Sequence, residues 1–216
     1  MDQIVYALTH IQDLVLPLLN WLGPWSYVVL FILIFMETGL VVFPWLPGES
    51  LVFVTSALAA VAGSKLNIFT LIIVFFSAAF MGDTVNFHIG KFLLRWPFFQ
   101  RHFAGHNLHR AEVFFKRHGM KAVVFGRFIP LVRTFVPLVA GTSKFKQTKF
   151  MLANFLGVTL WVTAGSMLGY FFGTIPFVQS NLSLIILGIA LVAIMPASII
   201  WLFKVIRRHI ITRNMS

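Results

Sequence analysis

The sequence predicts an all-α integral membrane protein: a single membrane domain over residues 1–216, with about four full transmembrane helices and two opposed re-entrant hairpins. Hydrophobic residues make up 59% of the chain and charged residues only 11%, whereas a soluble domain usually carries roughly 25% charged residues. Three segments contain no charged residue, and with their flanks they reach the roughly 20 residues that cross a bilayer: 68–81, 155–172 and 182–203. Such a chain cannot cover a water-facing surface, so it belongs in a membrane.

The first residues predict a helix that lies in the membrane interface rather than a secretory signal. Residues 2–19 place apolar side chains at spacings of four and three, the pattern of an amphipathic helix, at Ile4, Leu8, Ile11, Val15 and Leu18. Asp2 and Asp13 occupy the region in which a signal peptide carries positive charge.

The 17 basic residues are concentrated beside the apolar segments, and their distribution predicts the topology. Seven lie in 91–121, three in 144–149 and four after residue 203. Cytoplasmic loops carry an excess of Lys and Arg, so we place these three regions in the cytoplasm. The same charge attracts anionic lipid headgroups, whereas no aromatic and basic recognition module accompanies it to indicate nucleic acid.

Two interrupted apolar segments, 37–62 and 122–143, are predicted to be re-entrant hairpins that enter from opposite faces. The second has a basic cytoplasmic region on each side, so it must leave the membrane where it entered. With both termini inside, the full crossings are 24–36, 67–90, 148–173 and 182–204. The residues expected to break the hairpins are Pro44, Pro47, Gly48, Pro130 and Pro137.

The two halves of the chain share a spacing that predicts an inverted-topology repeat. Ser64 opens one crossing that reaches Gly90, and Ser143 opens another that reaches Gly169, at the same separation of 26 residues. Each crossing follows an interrupted segment with ionisable residues, and matched interruptions of this kind mark the binding site of transporters. Chance similarity between apolar segments is the alternative explanation.

Four ionisable residues mark the predicted centre: Glu37 and Glu49 flank the first interruption, and Arg127 and Arg133 flank the second. A charge at membrane depth is costly unless it faces a partner or water, so the two hairpins are expected to meet. One interpretation is a salt-bridged hub with no further role. The other assigns the planar guanidinium groups to an anion, foremost a phosphate, and a desolvated glutamate to proton uptake.

Asp83, within the run MGDTVNFHIG, is a further candidate for proton coupling. It could pair with one of the arginines, form a relay with His88, or lie as a polar group near the interface. We expect no metal site and no cofactor, and we expect solvent or headgroups around three histidines at helical spacing, His102, His106 and His109. The chain has no Walker A, HExxH or GxSxG motif, so it is not expected to be an enzyme.

Three blocks of the sequence resemble the DedA family of bacterial inner-membrane proteins, which share the VTT (SNARE-associated) domain. The blocks are ETGLVVFPWLPGESL at 37–51, GD at 82–83 with Gly90 downstream, and GRFIPLVRTFVPLVAG at 126–141. The chain most resembles the enterobacterial members that are linked to membrane integrity. The resemblance implies two opposed re-entrant loops in a multi-pass protein of the bacterial inner membrane.

The resemblance also implies a function, the transport of a lipid phosphate between leaflets. Its leading candidate is undecaprenyl phosphate, returned from the outer to the inner leaflet for envelope synthesis. Arg127 and Arg133 fall on essential arginines of the family, and Glu37 and Glu49 fall on its acidic positions. We therefore expect a flippase driven by the proton motive force, with an anionic polyprenyl phosphate and protons as its partners.

Two other functions stay open at this point. A proton/cation or drug antiporter would need the carboxylates for exchange and the arginines only for folding. A lipid phosphatase would need a nucleophilic histidine near the arginines, and the nearest histidines in sequence are His88 and His118.

Overall fold

The described part of the protein, a computed structural model, is helical and comprises residues 21–39, 48–61, 63–93, 113–129, 132–143 and 145–180. Seven helices have defined bounds in this part: α1 (Trp25–Gly39), α2 (Gly48–Ala59), α3 (Ile68–Leu93), α4 (Met120–Gly126), α5 (Val132–Thr142), α6 (Gln147–Thr174) and α7 (Pro176–Ser180). Helical residues 113–118 lead into α4 through Gly119, whose φ of 54° suits a residue without a Cβ.

α3 and α6 are the two described helices that are long and apolar enough to cross a membrane. They contain 26 and 28 residues, which is about 39 and 42 Å at a rise of about 1.5 Å per residue. Phe76 of α3 packs on Phe155 of α6, whereas Phe87, later in α3, packs on Phe150, earlier in α6. The two long helices therefore run antiparallel.

α1 and α2 form a first helical hairpin with one arm on each long helix. α1 runs parallel to α3, because the Tyr27 hydroxyl accepts a hydrogen bond from the Asn67 amide just before α3 (2.8 Å) and Gly39 meets Gly82 further along. α2 runs parallel to α6, since two of its residues meet two glycines in the same order, Phe53 with Gly169 and Ala57 with Gly173.

α4 and α5 form a second hairpin on the same two helices. Phe115, before α4, packs on Phe145, before α6, and Val124 then meets Gly157, so α4 is parallel to α6. α5 is parallel to α3, with contacts in order between Thr134 and Asn86 and between Leu138 and Gly90. α1 runs toward the end of the first hairpin in the direction of α3, whereas α5 runs away from the end of the second hairpin in that same direction. The ends of the two hairpins, at Gly39 and Gly48 and at Gly126 and Val132, therefore point toward each other.

Each contact between helices in the first half has a counterpart in the second half, in which α4, α5 and α6 take the places of α1, α2 and α3. α1 and α4 lie along the long helix of their own half, whereas α2 and α5 lie along the long helix of the other half. Gly90 and Gly169 each face a backbone carbonyl, that of Leu138 on α5 and that of Phe53 on α2, and a Cβ would overlap it. This exchange, together with the antiparallel course of α3 and α6, is what an inverted repeat requires.

The first arm of the first hairpin begins earlier than the sequence predicts. The sequence divides a crossing at 24–36 from a hairpin at 37–62, but one helix, α1, runs through that boundary to Gly39. Glutamate is a good helix former, and the buried Glu37 side chain has partners, so nothing ends the helix there. The predicted segments 2–19 and 182–204, and most of 91–121, lie outside the described residues.

Large apolar side chains are exposed along the outer faces of both long helices. They include Phe69 and Ile73 on α3, with 74% and 65% of their surface exposed, and Leu160 and Phe171 on α6, with 54% and 59% exposed. An apolar surface of this kind is unfavourable in water and suits contact with lipid.

Candidate functional site

The helix ends that flank the turns of the two hairpins meet beside the middle of α3 and α6 and bring together five ionisable side chains. Glu37 lies near the end of α1, Glu49 begins α2 and Asp83 lies on α3. Arg127 follows α4, and Arg133 lies in the first turn of α5. These are all three carboxylate side chains of the described part of the chain, and we call the five residues the charge cluster.

Arg133 joins the two glutamates of the first hairpin. Its Nη2 bonds to Oε1 of Glu37, and its Nη1 lies 2.9 Å from Oε1 of Glu49. This second contact is an ion pair without hydrogen-bond geometry, because Nη1 has no hydrogen-bond acceptor in the described residues. The Glu37 carboxylate also accepts the Gly48 amide at 3.2 Å. A Cβ at Gly48 would overlap that carboxylate, so a larger residue there would push the Glu37 side chain away from its present partners.

Arg127 pairs with Asp83 through Nη1, and both side chains are buried. The same nitrogen lies 3.4 Å from Oδ1 of Asn154 on α6, while Nε has no hydrogen-bond acceptor in the described residues. Of the three placements predicted for Asp83, the structure shows the ion pair with an arginine. His88 instead bonds through Nδ1 to the carbonyl of Thr84, on its own helix, at 2.7 Å.

Trp161 on α6 contacts both arginines. The guanidinium carbon of Arg127 lies 5.1 Å from the centroid of the indole ring, and that of Arg133 lies 5.4 Å from it. Both distances are within the roughly 6 Å of a cation–π interaction. The sequence does not mark this residue, because a tryptophan inside an apolar run gives no signal that separates it from core or lipid-facing residues.

Asn86 on α3 ties both hairpins to the same point. Its Nδ2 donates to the carbonyls of Thr38 on α1 (3.2 Å) and Thr134 on α5 (2.8 Å). Asn86 and Asn154 were not among the residues predicted from the sequence. A signal for them exists, since a buried amide in an apolar crossing is costly without partners, and this argument applies to asparagine as it does to charge.

The remaining predicted residues lie elsewhere or outside the described part. Pro44, Pro47 and Pro130 fall outside it, as do His102, His106 and His109. Pro137 lies inside α5 without ending it, although the helix loses the hydrogen bond from residue 137 to the carbonyl of Arg133. The His118 ring bonds to the carbonyl of Phe114. Among the described residues no group of three or more His, Asp or Glu is placed to hold a metal ion.

Comparison with known proteins assigns the family. Residues 46–171 match the VTT domain. The chain is 40% identical to Protein DedA of Escherichia coli (strain K12) over 206 residues, which cover 92% of this chain and 90% of that relative. The chain belongs to the DedA family. The resemblance drawn from the three sequence blocks is therefore confirmed.

Two further relatives of this DedA-family chain are similar over much of their length. An uncharacterized membrane protein of Mycobacterium leprae (strain TN) is 36% identical over 188 residues, 83% of each chain. The inner membrane protein YqjA of Escherichia coli (strain K12) is 34% identical over 153 residues, 69% of each chain. No solved structure matches. These names, with the all-helical fold, confirm the predicted class of helical membrane protein.

Proposed function

We propose that this DedA-family protein is a proton-coupled translocase that carries a lipid phosphate between the leaflets of the bacterial inner membrane. Undecaprenyl phosphate, moved from the outer to the inner leaflet, is the substrate that the family resemblance implies. The observation that carries the proposal is the charge cluster, in which two buried arginines face three carboxylates. The cluster binds an anion in exchange for other anionic groups and breaks no bond in it.

The charges of the cluster couple anion binding to protonation. Three carboxylates and two guanidinium groups sum to −1 when all are ionised. A singly charged phosphate on the arginines would take the sum to −2, in a place where unpaired charge is costly. Protonation of one displaced carboxylate restores the original net charge of the cluster, so each phosphate enters with about one proton.

The arginines still have hydrogen-bond donors to offer a phosphate. Within the described residues, Nε of Arg127 and Nη1 of Arg133 are buried and have no hydrogen-bond acceptor. Buried donors without acceptors are unfavourable. A phosphate supplies several acceptor oxygens, and a guanidinium group can bind two of them in parallel, so a phosphate is the ligand class that best satisfies these donors.

The three carboxylates differ in their access to water, which suggests different roles. The Glu49 side chain is 50% exposed, whereas those of Glu37 and Asp83 are 4% and 3% exposed. We assign Glu49 as the group at which protons and the phosphate enter. Glu37 and Asp83 are assigned to hold the empty site together and to release the arginines when protonated. The isoprenoid tail stays in lipid, so only the headgroup needs shelter.

The two hairpins are assigned as re-entrant from opposite faces. α1 and α2 have 15 and 12 residues, about 22 and 18 Å, which is short of a hydrocarbon core about 30 Å thick. Their tips and those of α4 and α5 meet beside α3 and α6, which places the charge cluster near the membrane centre. In transporters with inverted repeats, such a site is reached alternately from each face. With α3 ending in the cytoplasm, α1 begins at the outer face, because Tyr27 contacts Asn67 just before α3; the predicted cytoplasmic N-terminus would then require a crossing before Trp25.

The test is the movement of undecaprenyl phosphate in proteoliposomes, with and without an imposed pH gradient. Wild type is compared with Arg133→Ala and Glu49→Gln. The matched controls are Arg117→Gln, at an exposed position before α4, and Glu112→Gln, outside the described residues. We expect gradient-driven movement by wild type and both controls. Each site variant, checked for folding by size-exclusion chromatography, is expected to lose roughly tenfold or more of this movement, because Arg133→Ala removes a phosphate-binding guanidinium group and Glu49→Gln removes the carboxylate at which protons enter.

Other outcomes would overturn the proposal in distinct ways. If wild type moves no lipid phosphate but dissipates the gradient when a cation is supplied, the protein is a proton/cation or drug antiporter. The arginines would then serve only the fold. If wild type does neither and the site variants only lose stability, the charge cluster is a structural hub.

A further inference from the structure

We propose that Trp161 is a positioning residue of the phosphate site: it holds the guanidinium groups of Arg127 and Arg133 in place against its ring while their carboxylates are displaced. This inference deepens the proposed function, and its consequence for transport rests on that function. Its geometric content, the contact of one indole with two cations, does not.

The geometry singles out Trp161 among the described aromatic residues. Its side chain is 8% exposed, and it is the one described ring approached by two cations. The cations come from different elements, Arg127 from the end of α4 and Arg133 from the start of α5. Trp161 lies on a third element, α6. One ring on a long helix therefore fixes the spacing of two side chains from the hairpin turn.

The chemistry of the indole suits a site whose carboxylates change partners. In the proposed cycle Glu37, Glu49 and Asp83 give up the arginines, so ion pairs cannot keep the arginines in place at every step. The indole ring does not titrate, and its negative face attracts cations whatever the protonation of its neighbours. Tryptophan has the strongest such attraction among the aromatic side chains. It also offsets part of the repulsion between two adjacent guanidinium groups.

A packing role is the competing explanation, because Trp161 also belongs to an apolar core cluster with residues such as Phe75 and Val158. A packing residue depends on the shape of the ring, whereas a positioning residue of this kind depends on the charge distribution over its face. Ring fluorination weakens that negative face with little change in shape. The two explanations therefore predict different responses to fluorination.

The first experiment tests the contact without reference to transport. The other five tryptophans, Trp21, Trp25, Trp45, Trp96 and Trp201, are replaced by phenylalanine, and the full chain is placed in lipid nanodiscs. Emission and resonance Raman spectra of Trp161 are compared with those of the same protein carrying Arg127→Gln or Arg133→Gln, with Arg117→Gln as control. Both site changes should shift the indole signal, and the control should not. Identical spectra throughout would overturn the inference.

The second experiment measures lipid-phosphate transport by the same single-tryptophan protein with increasing numbers of fluorine atoms on the Trp161 ring. The rate should fall stepwise, by on the order of tenfold across the series, because the cation–π attraction weakens at each step. A constant rate would assign Trp161 to packing and overturn the inference. If the unfluorinated protein moves no lipid phosphate, the proposed function fails, and the spectra alone decide whether Trp161 holds the arginines.

Substitution gives an independent check. Trp161→Phe keeps an aromatic face and should retain more transport than Trp161→Leu, while Phe75→Leu is the matched control, a fully buried aromatic of the same apolar cluster. Equal losses in Trp161→Phe and Trp161→Leu, with matched melting temperatures, would count against the inference.

Discussion

Replacement of Arg127 by glutamine isolates the contribution of one buried ion pair. The side chains of Arg127 and Asp83 are 7% and 3% exposed, so the change leaves a carboxylate without its cation where water does not reach. Breaking a buried pair by removing one partner costs about 3–5 kcal/mol. A chain of this length loses about 2–4 °C for each kcal/mol, so the melting temperature should fall by roughly 6–20 °C.

The double variant Arg127→Gln/Asp83→Asn tests whether that loss comes from the unpaired charge. Two neutral amides replace the ions and leave no unpaired charge, so most of the stability should return. Asp83→Asn alone leaves a buried guanidinium group and should be about as costly as Arg127→Gln. The loss in the double variant should then fall short of the sum of the two single losses by at least about 3 kcal/mol.

The assay is thermal unfolding of purified protein in one detergent, followed by tryptophan emission and by size-exclusion chromatography of heated samples. Arg117→Gln is the control, because an exposed substitution usually changes stability by less than about 0.5 kcal/mol. The reasoning is refuted if Arg127→Gln melts with the control. It is also refuted if the double variant loses the sum of the two single losses, since the two residues would then not interact.

Three further outcomes follow from the structure. Glu49→Gln should lower the free energy of unfolding by less than about 1 kcal/mol, because its side chain is half exposed, whereas Glu37→Gln should lower it by about 2–4 kcal/mol. Both should abolish gradient-driven flux, and equal melting temperatures would contradict the assigned burial. Gly90→Ala and Gly169→Ala should each cost about 1–3 kcal/mol in the same assay, because a Cβ meets a facing backbone carbonyl; wild-type stability in either would refute that close approach. Asn86→Ala should lose about 2 kcal/mol and slow transport, because both hairpins lose an anchor; unchanged flux would restrict Asn86 to the fold.

The sequence predicted those features that depend on the cost of placing charge in an apolar setting. Arg133 and both glutamates were expected to meet because each sits beside an interrupted apolar segment, and the structure brings them together. The equal spacing to Gly90 and Gly169 identified positions that play the same role in the two halves. Both inferences rest on local chemistry and chain spacing, which a sequence contains.

The features that the sequence did not predict depend on which helix lies beside which. Nothing in the chain around Asp83 distinguishes Arg127 from Arg133 as its partner, because the choice is made by the helices on which they lie. The start of the first hairpin at Trp25 was missed for a similar reason: hydropathy reports that α1 is apolar but not that its neighbour is α3. Trp161 was missed because its role appears only when two distant segments meet over its ring.

The division of each hairpin between the two long helices sorts six of the described helices, α1 to α6, into two groups of three. α1 and α5 go with α3, and α2 and α4 go with α6, so a seam runs through both hairpins and through the charge cluster. The pairs Arg127–Asp83 and Arg133–Glu49 span this seam, whereas Arg133–Glu37 lies within one group. Sliding of one group past the other would break these two ion pairs and move Arg133 relative to Trp161, whereas the pair Arg133–Glu37 and the contact of Arg127 with Trp161 lie within single groups. Such a displacement would carry Arg133 and Glu37 together as one neutral unit, and would free the half-exposed Glu49.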